Sequence, residues 1–497
     1  MHDLRQAQRG LPQGAHQHQA PHDQRDQGAE LRRIVSAAGE ETDRADAPLD
    51  ERDGIALLDA VLHEQPDASD RHGPVALAVS GGPDSTALLY FADRWSRLRQ
   101  RPLLVLTVDH GLRPEATAEA AEVARRAAEL GHSHRILAWN GRKPRAGLQA
   151  AAREARLALL TEACHGAGAA TLLLAHHRDD QAETVLHRID RDTGPEGLAG
   201  MAPVTWRGGI RLVRPFLTLP KERLVATCRV AGLAYAEDPS NADPRFTRAD
   251  LRRLRPALDA VGLTADRLAR LAEAMGCARR AMDREVRGWL VRHAVIHPCG
   301  TCRLDRAALD AAPPDFTAAI LRAVLRIAGA AGYPPGTAAM AGLMDWLADG
   351  AAARRRTLRG CLLQIDGDTL TVMREEVACA PPLCIPGGQT ACWDGRFLIR
   401  NKTAAPINVG PCGAEGWRRI KRLGLDARLP DAARALPHPA RLAWPIVTDL
   451  DGVVALPHLV LGERRAPDSH QFGVVIHLLA TRERRIDGPM ANGRLKT

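Results

Sequence analysis

The sequence predicts an α/β fold in which a parallel sheet is covered by helices on both faces, followed by a helical domain and a small β-containing C-terminal domain. Apolar runs of strand length alternate with helical patterns between about residues 53 and 255. Residues 256–350 change to a helical pattern alone, and residues 351–497 change to short runs broken by Gly and Pro. We therefore expect three domains after a polar N-terminal extension at residues 1–52.

The parallel sheet is predicted from five apolar runs that are each followed by a helical pattern. The strand candidates are 75–80, 103–109, 134–139, 171–176 and 210–215. The helical patterns lie at about 85–98, 116–130, 149–166, 179–190 and 220–231. Parallel strands need a crossover connection, usually a helix, so this alternation favours a parallel sheet.

Composition excludes several classes of protein. The chain of 497 residues is too long for one ordinary core, and no apolar run approaches the length of a membrane span. There is no apolar segment of a secretory signal, and the ten cysteines show no paired framework, so we expect free thiols in the cytoplasm. Lys and Arg number 68 against 59 Asp and Glu, a net charge of +9 that is compatible with a nucleic-acid partner.

Residues 1–52 are rich in Gln, His, Arg, Asp and Ala and carry few large apolar side chains. A segment of that composition buries too little apolar surface to offset the entropy lost on ordering. We predict a disordered extension in which His16, His18 and His22 are solvated rather than bound to a metal.

A glycine-rich turn follows the first predicted strand and opens a helix; it reads Ser80-Gly81-Gly82-Pro83-Asp84-Ser85. Two glycines let the backbone approach a ligand closely, and unbonded amides at a helix N-terminus favour a phosphate group. Ser80 and Ser85 add hydroxyl donors, and Pro83 loses nothing in the first helical turn. The turn lacks the Gly-Lys-Ser/Thr of a Walker loop, so it is either another kind of phosphate site or a strand–helix turn rich in small residues.

Two further polar motifs directly follow predicted strands. Asp109 and His110 end the second strand, and residues 176–184 follow the fourth. Ligands of open α/β sheets bind beyond the carboxyl ends of the strands, so these motifs and the turn at 80–85 should line one site.

The motif at residues 176–184 carries candidate metal ligands. Asp180 and Glu183 are spaced to share one face of the helix that opens there. Carboxylates beside bound phosphates suit Mg²⁺, which prefers oxygen ligands. The alternative is electrostatic capping of the helix N-terminus by Asp179 and Asp180, and both roles can coexist.

Clusters of arginine follow in the rest of the chain. Residues 237–247 form a stretch rich in Pro, Asn and Asp that leads into Arg248, and basic pairs or triplets recur at 279–280, 354–356 and 418–422. These side chains are either solvated surface groups or contacts for phosphates and nucleic acid.

Together these motifs resemble those of the tRNA(Ile)-lysidine synthase family, a branch of the PP-loop ATP-pyrophosphatases. The resemblance covers about residues 72–256, and besides the turn it includes 108–113, 147–156, 175–184, 197–201, 214–217 and 237–241, in the family's order. Many PP-loop enzymes share the turn, whereas the later motifs are more specific. The family's Arg-Gly-Ser-Gly stands here as Arg-Asp-Thr-Gly at 191–194, and its Arg-Asn-x-Leu-Arg as Arg-Ala-Asp-Leu-Arg at 248–252.

The resemblance implies a PP-loop (adenine-nucleotide α-hydrolase-like) fold and a reaction in two steps. ATP adenylates the C2 oxygen of the wobble cytidine in a tRNA(Ile) with a CAU anticodon, and pyrophosphate leaves. The ε-amine of free L-lysine then displaces AMP and leaves lysidine. Mg²⁺ as cofactor, a cytoplasmic location and no membrane partner are implied as well, while the oligomeric state stays open, with a dimer as one option.

Residue roles follow from the same resemblance. The turn binds the pyrophosphate portion of ATP through Ser80, Gly81, Gly82, Pro83, Asp84 and Ser85. Asp109 and His110 are further nucleotide-binding candidates. Asp84 and Asp180 are the metal candidates, His176 contacts phosphate or orients the cytidine, and Arg248 contacts the reacting groups. Carboxylates that bind the lysine amine are expected, but the sequence does not single them out.

Two other functions are consistent with the same turn. A PP-loop tRNA thiolase needs cysteines that deliver sulfur, and Cys299 and Cys302 form a lone CxxC without a second pair at metal spacing. A non-catalytic ATP-binding sensor would not need the motifs at 109–110 and 176–184 or two further domains.

Overall fold

The computed structural model describes residues 46–62, 73–111, 115–140, 143–144, 147–190, 193–236, 247–329, 335–349, 355–448, 454–456 and 474–479. Residues 1–47 and 48–497 form separate units, and every helix and strand of the described ranges belongs to the second. The disorder predicted for residues 1–52 falls almost entirely outside the described residues. Leu49 is buried, however, and its amide donates to Thr227 Oγ1 at 2.8 Å, so the ordered fold already includes it.

The N-terminal sheet has six strands, all within the described residues. They are β1 (Val75–Ala78), β2 (Leu103–Asp109), β3 (Ser133–Ala138), β4 (Thr171–Leu173), β5 (Val204–Arg207) and β6 (Ile210–Val213). The helices that accompany them are α1 (Glu51–Leu62), α2 (Pro83–Arg99), α3 (Glu115–Glu129), α4 (Leu148–Ala167), α5 (Arg178–Asp190), α6 (Pro195–Leu198) and α7 (Lys221–Val230). The strand order is β3-β2-β1-β4-β6-β5, and the first five are parallel. This confirms the predicted α/β class.

Helices cover both faces of the sheet, as predicted. On one side, which we call the α2 face, α1, α2, α3 and α7 bury residues such as Leu58, Leu88 and Leu224 against it. On the other side, the α4 face, α4 buries Leu160 and Cys164. Burial on both faces explains why the strands read as continuous apolar runs rather than alternating ones.

Successive residues of a strand enter opposite clusters. Leu173 of β4 and Val213 of β6 belong to the α2 face, while Leu172 and Leu212 belong to the α4 face. The side chains that follow these strands are therefore distributed between two sides of the same sheet edge.

The antiparallel edge strand β5 was not among the predicted strands. It pairs with β6 through a two-residue turn in which Gly208 and Gly209 have φ values of 55° and 81°. Two consecutive positive φ values are the requirement of a type I′ hairpin turn, which glycine meets without strain. The Gly-Gly pair between two apolar runs was a sequence signal for this hairpin.

The region after residue 247 contains helices and short antiparallel strands. Its helices are α8 (Thr247–Ala260), α9 (Ala265–His293), α10 (Arg306–Asp310), α11 (Pro314–Ala328), α12 (Thr337–Ala348), α13 (Gly413–Arg422), α14 (Asp431–Arg434) and α15 (His438–Leu442). Its strands are β7 (Ala294–Ile296), β8 (Cys302–Asp305), β9 (Arg355–Leu358), β10 (Cys361–Asp366), β11 (Thr369–Arg374), β12 (Leu383–Ile385), β13 (Thr390–Trp393), β14 (Phe397–Asn401), β15 (Ile407–Pro411), β16 (Pro445–Thr448), β17 (Val454–Ala455) and β18 (Val474–Leu478). Three sheets result, in the orders β7-β8-β11-β10-β9, β12-β15-β16-β17 and β13-β14-β18.

The β7 and β8 strands lie inside the segment 256–350 that the sequence predicted as helical. β8 pairs with β11, and a single apolar cluster includes Leu304, Ile320, Leu363 and Phe397. The segments 256–350 and 351–497 thus share a core, and the boundary between them stays a prediction. Within the described ranges, no helix has the length and apolar character needed to cross a membrane.

Candidate active site

The turn at 80–85 joins β1 to α2 at the carboxyl edge of the sheet. Gly81 has φ +89°, a conformation that side chains other than glycine rarely adopt, and Gly82 is the N-cap residue of α2 with Pro83 in the first turn. The first intrahelical hydrogen bond runs from the Thr86 amide to the Gly82 carbonyl at 2.9 Å. The amides that precede Thr86 have no helical acceptor, which is the arrangement that binds an anion.

Ser85 stabilises the turn from inside. It is buried, its Oγ donates to the Gly82 carbonyl at 3.0 Å, and it accepts from the Ser80 amide at 3.1 Å. Ser80 itself is exposed. A cavity of about 340 Å³ adjoins the turn and is lined by residues such as Gly81, Thr86, Glu119 and Tyr235.

His177 brings the turn and the 176–184 motif together. Its Nε2 lies 3.6 Å from a carboxylate oxygen of Asp84 in α2 and 3.4 Å from one of Asp180 in α5. The His177 amide also donates to Asp180 at 3.2 Å. The two carboxylates predicted as metal ligands therefore flank one imidazole, although they are 96 positions apart in the sequence.

The charge of His177 is set by these neighbours. Burial acts to lower the pKa of His177, but its hydrogen bond to Asp84 and the charges of Asp180, Asp84 and Asp179 outweigh burial and raise it. A protonated imidazole between two carboxylates neutralises part of their charge.

Asp84 keeps one oxygen without a protein partner. Its Oδ1 is buried and accepts no hydrogen bond from the described residues. An unpaired buried carboxylate oxygen is costly unless a cation or a donor arrives, so it fits a metal-binding role. No group of three or more His, Cys, Asp or Glu able to hold a metal occurs among the described residues. Two carboxylates completed by phosphate oxygens and water are a common arrangement for Mg²⁺.

Of the two adjacent histidines, His177 makes the contacts to Asp84 and Asp180. The sequence reasoning did not single out this residue. A signal was present, since an imidazole three residues before Asp180 is at helical spacing from it.

Asp179 holds two other elements in place. It accepts from the Lys221 amide of α7 at 3.0 Å and from Arg255 of α8 at 2.9 Å. Burial acts to raise the pKa of Asp179, but the hydrogen bond from Lys221, the charges of His177 and Arg255, and the hydrogen bond from Arg255 lower it overall. Asp179, at the start of α5, therefore connects α5 to α7 and α8.

Asp109 and His110 lie at the end of β2, beside the turn. Asp109 accepts from the Gly111 amide at 2.8 Å and from Thr117 Oγ1 at 3.2 Å, so its carboxylate shapes the following loop. The His110 ring meets Trp139 edge to face, with centroids 5.9 Å apart. Burial first, and then the charge of Arg156, lower the pKa of His110.

Arg248 and the two cysteines of the CxxC both belong to the region after residue 247. Arg248 lies in α8, but its side chain falls outside the described residues. Cys299 and Cys302 are both buried in the C-terminal region, and burial raises the pKa of the Cys299 thiol. His297 Nδ1 lies 2.9 Å from Cys299 Sγ. These thiols are packed as core side chains.

Residues 58–258 match the sequence model of the PP-loop domain. The tRNA(Ile)-lysidine synthase of Methylobacterium nodulans is 48% identical over 339 residues, which is 66% of this chain and 96% of that protein. The chain belongs to the tRNA(Ile)-lysidine synthase family. Among other members of this family, that of Rhodopseudomonas palustris is 44% identical over 60% of this chain and 90% of its own. That of Methylobacterium sp. is 59% identical over 41% of this chain and 59% of its own.

Solved structures are more distant from this tRNA(Ile)-lysidine synthase family member. A U34-tRNA thiolase from Methanococcus maripaludis is 17% identical, with a TM-score of 0.38 over 45% of this chain and 78% of that one. The NAD+ synthetase of Burkholderia pseudomallei is 17% identical, with a TM-score of 0.27 over 53% and 96%. Identities this low carry no information on substrate.

Proposed function

We propose that this protein ligates lysine to C2 of the wobble cytidine in a tRNA(Ile) with a CAU anticodon. The PP-loop domain makes ATP the nucleotide substrate. The observation that best supports the proposal is the meeting of Asp84, His177 and Asp180 beside the glycine turn. Membership of the tRNA(Ile)-lysidine synthase family is the basis for proposing tRNA(Ile) as the acceptor of lysine.

The proposed reaction balances in two steps. The C2 oxygen of the cytidine attacks the α-phosphorus of ATP, the bond to the β-phosphate oxygen breaks, and pyrophosphate leaves. The lysine ε-amine then attacks C2, the bond from C2 to the adenylyl oxygen breaks, and AMP leaves with that oxygen. The amine loses a proton as the new C–N bond forms.

The turn supports binding of the pyrophosphate portion of ATP. The amides at the start of α2 face no helical acceptor, and the positive φ of Gly81 sets their direction. Ser80 is exposed beside them, whereas Ser85 acts by holding the turn in shape. Asp109 and His110 border the same edge and stay candidates for contacts to the nucleotide.

Asp84 and Asp180 are the proposed ligands of Mg²⁺. The unpartnered Oδ1 of Asp84 fits a cation, and Asp180 lies across His177 from it. When bound there, magnesium would neutralise charge on the departing pyrophosphate. His177 orients both carboxylates, His176 is proposed to contact phosphate or the cytidine, and Arg248 the reacting groups.

The remaining domains are proposed to hold the tRNA. Helix α13 presents Arg418 and Arg422, whose side chains are 70% and 72% exposed, beside a cavity of about 470 Å³. Exposed cations of this kind suit the phosphate backbone of RNA. We propose domain limits of 53–255, 256–350 and 351–497. The use of free lysine is part of the same proposal, and the oligomeric state stays open, with a dimer as one option.

The deciding experiment incubates the protein with ATP, labelled lysine and a tRNA(Ile) transcript, followed by nucleoside analysis. Lysidine, with one pyrophosphate and one AMP released per nucleoside formed, is expected. A transcript with a CAU-to-GAU anticodon change is the control and should stay unlabelled. Sulfur incorporation with a sulfur donor, or ATP binding without pyrophosphate release, would overturn the proposal in favour of a thiolase or a sensor.

A further inference from the structure

Arg214 is a buried cation that follows β6 at the carboxyl edge of the sheet. Only 8% of its surface is exposed. Its Nη1 donates to the Ala202 carbonyl at 2.9 Å and to Thr205 Oγ1 at 3.1 Å. These contacts fix the guanidinium against the β5–β6 hairpin and occupy one of its edges.

The opposite edge of this guanidinium makes no hydrogen bond within the part of the chain that the structure describes. Nε is buried there, and neither Nε nor Nη2 donates to a described residue. No carboxylate of the described residues forms an ion pair with Arg214. Arginine is rarely buried without a carboxylate, and an unmade hydrogen bond at a charged group is destabilising.

The surroundings of Arg214 increase the demand for an anion. Burial lowers the pKa of Arg214 to about 10, and the positive charge of Arg153 in α4 acts in the same direction. Arg214 still carries its proton at neutral pH. A second cation nearby and no acid in contact make this position attractive to a negative group.

Arg214 lies on a different side of the sheet edge from the two carboxylates proposed to bind Mg²⁺. The alternation along β6 puts Leu212, and by continuation Arg214, on the α4 face, and Arg153 of α4 is close enough to act on its charge. The carboxylates of Asp84 and Asp180 meet at His177, which lies on the other side. The two sides of the edge therefore offer separate positions for a cation and for an anion.

We propose that the Nε–Nη2 edge of Arg214 binds the α-carboxylate of the lysine substrate, an inference that rests on the proposed function. This edge is the one that pairs with a carboxylate through two parallel hydrogen bonds. A free amino acid can enter a buried position, whereas the phosphodiesters of a folded tRNA stay at its surface. Arg214 would then select lysine over amines that lack a carboxylate.

The test compares lysine with cadaverine, which is lysine without its carboxylate. The wild type should use lysine with a kcat/KM higher by about 10²-fold, the size of effect typical for one buried charge pair. Arg214→Gln should lose about that factor with lysine and almost nothing with cadaverine, so that the two amines become equivalent. The kcat/KM of Arg214→Lys with lysine should lie between those of the wild type and Arg214→Gln, because Lys keeps the charge but not the two parallel donors.

Arg211 provides the matched control. It is a buried arginine of β6, three residues before Arg214 and 3% exposed, on the α2 face, and its Nη2 donates to the Val61 carbonyl. Arg211→Gln should leave the lysine-to-cadaverine ratio unchanged even if it lowers the melting temperature. tRNA-dependent exchange of pyrophosphate into ATP, which needs no lysine, should persist in Arg214→Gln.

Four results would overturn the inference. A wild type that uses both amines equally, or an Arg214→Gln variant that loses both equally, would leave Arg214 a structural role. A raised KM for tRNA with the lysine kinetics unchanged would assign the edge to a phosphodiester. Absence of pyrophosphate exchange in the wild type would overturn the proposed function itself, and this inference with it.

Discussion

Asp84 is the residue on which the proposed adenylation depends most. One of its oxygens faces His177 at 3.6 Å, and the other is buried and accepts no hydrogen bond from the described residues. Such an oxygen is destabilising unless a cation or a donor binds it. Asp179 shows the contrasting case of an acid whose two oxygens accept from protein donors.

Asp84→Asn should therefore abolish catalysis without harming the fold. Asn removes the charge from the buried Oδ1, while Asp180 remains as a partner of His177, so the melting temperature should stay close to that of the wild type. Pyrophosphate release should fall by about 10²-fold or more, since a cation on the leaving group is worth several kcal/mol. Pyrophosphate exchange and thermal unfolding measure the two effects, and activity near that of the wild type would remove Asp84 from the metal site.

Asp179→Asn should lower the stability of the protein more than its activity, the opposite of Asp84→Asn. It weakens charge-assisted contacts to Arg255 and the Lys221 amide, which are each worth about 1.5–3 kcal/mol, so the melting temperature should fall by a few degrees. Activity per folded molecule should change less than in Asp84→Asn. If Asp179→Asn stayed fully stable but inactive, Asp179 would belong with the reacting groups.

His297 should make the protein sensitive to acid. Burial lowers the pKa of His297 to about 4, against about 6.5 in an unfolded chain. Protons then bind the unfolded state first, so the stability from neutral His297 is complete above pH 6.5 and is lost as the pH falls toward 4. Between pH 7 and pH 5, the melting temperature of His297→Asn should fall by less than that of the wild type. Parallel curves for the two proteins would contradict this.

At the scale of elements, the two glycines of the turn between β1 and α2 are needed for different reasons. Gly81 needs its positive φ of 89°, whereas Gly82 has an ordinary φ of −71°. A Cβ on Gly82 would come no closer than 3.8 Å to Ser80 Oγ and 4.0 Å to the Ala236 carbonyl. The fold itself therefore does not require glycine at position 82.

Gly82→Ala should keep the wild-type melting temperature and still weaken ATP binding, because a methyl group would occupy the path of a phosphate to the amides. Isothermal titration with a non-hydrolysable ATP analogue measures the affinity. Gly81→Ala is the comparison, and its strained φ should lower stability by about 1 kcal/mol as well. Unchanged affinity in Gly82→Ala would move the phosphates away from this turn.

At the scale of the whole molecule, helix α13 combines burial and charge. It buries Trp417 and Ile420 and exposes Arg418, Lys421 and Arg422. Its solvent face is therefore one of the places where the net charge of +9 is concentrated. Such a face suits an RNA backbone without reading its sequence.

Arg418→Glu combined with Lys421→Glu should weaken tRNA binding and flatten its dependence on salt, with the slope of log K falling by about 1–2. Glu415→Gln is the opposite control. Glu415 pairs with Arg418 at 2.8 Å and with Arg422 at 3.6 Å, so neutralising it should strengthen binding. Filter binding over a salt series measures both variants. If neither variant changes the affinity for tRNA, the tRNA interface lies elsewhere on the protein.

The sequence by itself determined the parallel sheet and the position of the site on it. Apolar runs buried on both faces are read directly as strands, and each predicted strand of the sheet appears within three residues of its predicted ends. The convergence of residues 80–85, 109–110 and 176–184 at one edge follows from the topology of parallel strands. These features depend on local patterns, which a linear sequence records.

Tertiary structure alone decided which of two adjacent histidines lies between the carboxylates and which polar atoms Arg211 and Arg214 contact. His176 and His177 differ by one position, and only the folded arrangement of α2 and α5 brings Asp84 and Asp180 to His177. Arg211 and Arg214 are equally basic in sequence, yet Arg211 donates to Val61, which is 150 positions away, whereas Arg214 donates to Ala202 and to Thr205 of β5. Partners brought together by folding carry no local pattern, so contact and burial, rather than residue type, assign these roles.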